Sequence, residues 1–133
     1  MQKIIFPLLA MLMLAATANA QQTDTYPVIV SFNSMCCGVP SNEPVMKLIQ
    51  RFKKQYKIKK VSVDSIGPMG REGEYYLAFR LKEFSKAQKI KFIQQLKNTA
   101  TGMKERGFAD IKENETVNKA DLSGRSNITL IKL

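Results

Sequence analysis

Two adjacent cysteines, Cys36 and Cys37, stand between Met35 and Gly38 in a chain that contains no histidine. Thiolate and thioether sulfur are soft donors that suit Cu(I) and similar ions without any imidazole. Adjacent cysteines can also close a vicinal disulfide, carry out thiol redox chemistry or remain as inert thiols. The redox option lacks the Cys-x-x-Cys spacing that such chemistry favours. The absence of His removes the Ser-His-Asp and Cys-His forms of nucleophilic catalysis, and any His-ligated zinc site. Met69 and Arg71 lie in a Gly-rich stretch, and Met103, Lys104 and Arg106 in another. Basic neighbours of this kind lower a thiol's pKa and favour thiolate.

The elements that must position these residues follow from hydrophobic spacing. Residues 28–32 form a β-branched and aromatic run that reads as a buried strand. Val45, Leu48, Ile49, Phe52 and Tyr56 recur at helical spacing, with Ser41 or Asn42 as cap and Pro44 in the first turn. Residues 59–66 read as a second strand. In residues 74–81, Tyr75, Leu77, Phe79 and Leu81 alternate with Glu74, Tyr76, Ala78 and Arg80, as a third strand would. Ser85 and Gln88 have the spacing of a capping box that opens a second helix, with Ile90, Ile93, Leu96 and Ala100 inward. Residues 108–117 and 128–133 are further strand candidates, separated by a turn.

The order β-α-β-β-α-β predicts an α+β, ferredoxin-like sandwich, an antiparallel sheet with two helices on one face and an extra C-terminal strand. In that topology the loops at residues 34–40, 67–73 and 101–107 meet at one end of the sheet. Met35, Cys36, Cys37 and Met69 then become candidate metal ligands, and Cys36 with Cys37 a candidate disulfide. A soft-donor loop between strand one and helix one, here Ser34-Met35-Cys36-Cys37-Gly38, resembles the heavy-metal-associated domain of copper chaperones and metal-transporting ATPases. That family carries Met-x-Cys-x-x-Cys in this loop, whereas no residue separates the two cysteines here. The resemblance implies Cu(I) or another soft metal as cofactor, held by Cys36 or Cys37 with Met35 or Met69.

The chain has 133 residues and a net charge of +10. Residues 1–20 read as a signal peptide: Lys3 precedes an apolar run too short to span a bilayer, and Ala18-Asn19-Ala20 gives a small-x-small cleavage site. Export to the periplasm or medium is the expectation, with no transmembrane segment after cleavage. Residues 21–26 read as a loose polar arm, and residues 27–133 as one domain.

Lys47, Arg51 and Lys54 flank the apolar stripe of the first helix, and together with Arg71 they are the candidate partner-binding residues. Export favours an acidic protein or an anionic envelope component as partner, such as lipid headgroups, over nucleic acid. The aromatics near these cations fall on the apolar stripe, where they fill a core and do not stack bases. An exposed sheet edge would allow a homodimer. Residues 67–73 lack Walker spacing and read as a hairpin turn. The expectation is a binding role, with no catalytic residue assigned.

Overall fold

The computed structural model describes residues 23–122 and 127–133. The expected signal peptide and its cleavage site lie outside the described residues. Five strands and two helices follow in the order β1 (Thr23–Ser34), α1 (Glu43–Tyr56), β2 (Ser62–Gly67), β3 (Tyr75–Phe79), α2 (Lys86–Thr101), β4 (Gly107–Asn118) and β5 (Asn127–Lys132). The sheet order is β4-β1-β3-β2-β5, and every neighbouring pair is antiparallel. This is the ferredoxin-like arrangement with a fifth strand added beside β2. Reciprocal backbone bonds between Val61 and Leu133, at 2.9 and 3.0 Å, carry that pairing past the end of β5. The last strand therefore pairs within the domain, and β4 and β5 form the two edges.

The main core lies between sheet and helices. Val28, Val30 and Phe32 of β1, Val63 of β2, and Leu77 and Phe79 of β3 meet Leu48, Ile49 and Phe52 of α1 and Phe92 and Leu96 of α2. Burial of each such side chain contributes roughly 1.5–3 kcal/mol. Phe52, Phe84 and Phe92 form a triangle with centroids 5.0–5.3 Å apart, tying both helices to the link before α2. The capping box is present: Gln88 N–H donates to Ser85 Oγ and Ser85 N–H to Gln88 Oε1. One inward assignment is corrected. Ile90 is 64% exposed, and Phe92 takes the buried position. The stripe Phe92, Leu96, Ala100 satisfies the i, i+4, i+8 spacing, which rotates Ile90 to the outside.

The arm expected at residues 21–26 is corrected over residues 23–26, because β1 begins at Thr23 and pairs with β4 along its length, while residues 21–22 lie outside the described residues. The pleat changes phase within it. Tyr26 would share a face with Val28 in an uninterrupted strand, yet it packs on the opposite side of the sheet. The change falls at Pro27, which has no N–H to give to a ladder, opposite Asn114, which holds a φ of 52°. Both strands turn over together, so the register continues and Val117 crosses to the same side as Tyr26. A second, smaller core results on the helix-free face: Tyr26, Ile29, Ile66, Ala78 and Val117, with Met69, Tyr76, Leu122 and Ile128 against it.

Candidate functional site

The three loops do meet at one end of the sheet. Ser34, at the end of β1, pairs with Gly107 at the start of β4, and Tyr75, which follows the β2–β3 turn, pairs with Phe32. The Met35 N–H donates to the Arg106 carbonyl at 3.3 Å. A Cβ on Gly107 would collide with the Asn33 carbonyl oxygen, so glycine permits the close approach of the two segments. Pro40 is buried on the far side of the loop, and Gly38 turns the chain with a φ of +102°. The cysteine pair thus sits on a short loop anchored at both ends.

Cys36 and Cys37 are exposed and bonded to each other as a vicinal disulfide. The methionines expected around them go to three different surroundings. Met35 is 73% exposed, Met69 packs under the helix-free face, and Met103 is buried in the main core. A flexible apolar side chain at a loop root fills the nearest gap in a core, and two separate cores are within reach here. Among the described residues no three His, Cys, Asp or Glu side chains gather to hold a metal ion.

The second candidate is the outer surface of the helix layer. Burial of Val45, Leu48, Ile49 and Phe52 turns Lys47, Arg51 and Lys54 to solvent in one stripe. Together α1 and α2 carry eight lysines and arginines, and Glu43 is their sole acid. Glu43 accepts from Lys47 at 2.6 Å, and this hydrogen bond holds its carboxyl below the usual range. Among the described residues the other ion pair made by these helices joins Lys97 to Glu113. Arg51 stands where two shallow grooves between the helices join, alongside Lys47, Gln50, Gln95, Asn98 and Thr99. Exposed Ile90 lies on α2 among Lys86, Lys89 and Lys91. Arg71 is exposed on the β2–β3 turn and does not line these grooves.

The helix-free face holds a polar network that the alternation of residue types did not single out. Asp64, 2% exposed, accepts from Tyr26 Oη at 2.7 Å and from Arg80 Nη2 at 2.5 Å. Arg80 also reaches Asp24 at 3.4 Å and lies over the Tyr26 ring, 5.3 Å from its centroid. Burial, then the bond to Asp64, holds the Tyr26 phenol above its ordinary range. Burial works against the Arg80 charge, but Asp64 outweighs it and the guanidinium is held more firmly charged. The available signal was parity, since Asp64 and Arg80 both point away from the main core on adjacent strands. The phase change at Pro27, which delivers Asp24 and Tyr26 to them, left no such trace. Every polar group in the network has a partner within it, so it reads as a structural clasp on β1, β2 and β3.

No protein-family model, curated protein or solved structure matches this chain.

Proposed function

We propose that this chain is an exported binding module whose basic helix layer docks on an anionic lipid surface of the cell envelope. The observation that carries this reading is charge segregation. Eight cations and one acid lie on the two helices, which share one face of the sheet. Most of the eight are lysines spread along both helices, a distribution that suits a diffuse anionic surface. Exposed Ile90 adds an apolar side chain at the level of the surrounding lysines, as interfacial helices do. Among the described residues no helix is long and apolar enough to cross a membrane.

Sedimentation with vesicles tests this. The mature chain binds phosphatidylglycerol-containing vesicles and leaves phosphatidylcholine vesicles in the supernatant. Binding weakens as salt rises, because exposed charges are screened. A basic side chain near an anionic bilayer is worth about 1 kcal/mol. Substitution of Lys47, Arg51 and Lys54 together by Gln therefore lowers affinity by about two orders of magnitude. Equal binding to both vesicle types, or a triple variant that binds like the parent, overturns the reading.

A further inference from the structure

We infer that Cys36 and Cys37, once reduced, form a two-sulfur site selective for trivalent arsenic. This rests on the geometry of the loop and is independent of the helix-layer reading. Both sulfurs already sit at one exposed point, since they are bonded to each other on adjacent exposed residues. Reduction breaks that bond but leaves the anchors in place: the Ser34–Gly107 pairing, the Met35–Arg106 hydrogen bond and buried Pro40. The two thiols therefore stay side by side. A linear two-coordinate ion needs its sulfurs on opposite sides, which adjacent residues on an anchored loop do not offer. A pyramidal trivalent centre takes two sulfurs from the same side. It needs no third protein ligand, in keeping with the lack of a wider donor cluster among the described residues.

The chemistry balances in two steps. An external dithiol reduces the Cys36–Cys37 bond by exchange through a mixed disulfide, giving two protein thiols and the oxidised reductant. Arsenous acid then condenses with the two thiols. Two As–S bonds replace two As–O bonds, two waters leave, one hydroxyl stays on arsenic, and its oxidation state does not change.

The test uses the full mature chain reduced by a phosphine, which has no thiol to compete for arsenic, and phenylarsine oxide as the probe. Intact mass shows one phenylarsine oxide added and one water lost per chain, and both thiols become protected from alkylation. One equivalent of Cu(I) protects them far less. Cys36→Ser and Cys37→Ser each lose the second sulfur and about a hundredfold in affinity, the usual scale for losing one arm of a two-point attachment. Their circular dichroism matches the parent, because both side chains are exposed. Three results overturn the inference: a bond that stays closed under phosphine, thiols alkylated equally fast with and without the arsenical, or protection by Cu(I) equal to that by the arsenical.

Discussion

Replacing Arg80 by Met tests whether the clasp on the helix-free face works as described. The Asp64 side chain is 3% exposed, while that of Arg80 is 30% exposed. Removal of Arg80 strands a carboxylate away from water with the Tyr26 hydroxyl as its remaining donor. Losing one partner of a buried pair typically costs about 3–5 kcal/mol. Urea unfolding of parent and variant at pH 7 reads that loss. Adding Asp64→Asn to the variant removes the stranded charge and should recover most of it, because the amide oxygen still accepts from the Tyr26 hydroxyl. A loss below about 1 kcal/mol, or a double variant no more stable than Arg80→Met alone, would show that water reaches Asp64 and refute the reasoning.

Two further perturbations follow from the same geometry. Tyr26→Phe keeps the buried ring and deletes one hydrogen bond to a charged acceptor, so urea unfolding at pH 7 should show a loss of about 2 kcal/mol. Because the folded phenol titrates above its ordinary value of 10.0, the unfolded chain releases that proton first. The parent should lose stability as pH rises beyond 10, and Tyr26→Phe should show a shallower decline over that range. Ser85→Ala removes the Oγ that accepts from the Gln88 N–H, one of the two reciprocal bonds that open α2, and should cost about 1 kcal/mol in thermal or urea unfolding, with no effect on vesicle binding.

Legibility followed how local the deciding contact is. The capping box at Ser85 and Gln88, the alternation from Tyr75 to Leu81 and the stripe from Val45 to Phe52 are short-range patterns, and all are present. The meeting of the three loops also followed, because it depends on strand order alone. What escaped was set by long-range pairing. Residues 23–26 are polar and look like a tail, but β4 offers them a full ladder. Ile90 fits a helical stripe as well as Phe92 does, and the aromatic cluster with Phe52 and Phe84 decides between them. The methionines of the candidate site read as a group because their loops are neighbours. Their side chains separate because Met69 and Met103 each have a different core to enter.

The two faces of the sheet therefore carry different duties. A five-stranded sheet with both helices on one side leaves its other side uncovered, and an uncovered apolar face is unstable in water. This chain reduces that exposure with the phase change at Pro27 and Asn114, which turns Tyr26 and Val117 onto the open side, and with Leu122 in the link between the two edge strands. Asp24, Asp64 and Arg80 satisfy one another there. Eight further cations lie on the two helices, where Glu43 is the one acid beside them. Surface charges of one sign repel, and on a small domain that repulsion lowers stability. Placing eight cations against one acid on the two helices thus carries a stability cost that an anionic partner would offset, whereas the same residues dispersed among acids would not incur it. On this argument the helix layer is where binding should be sought first.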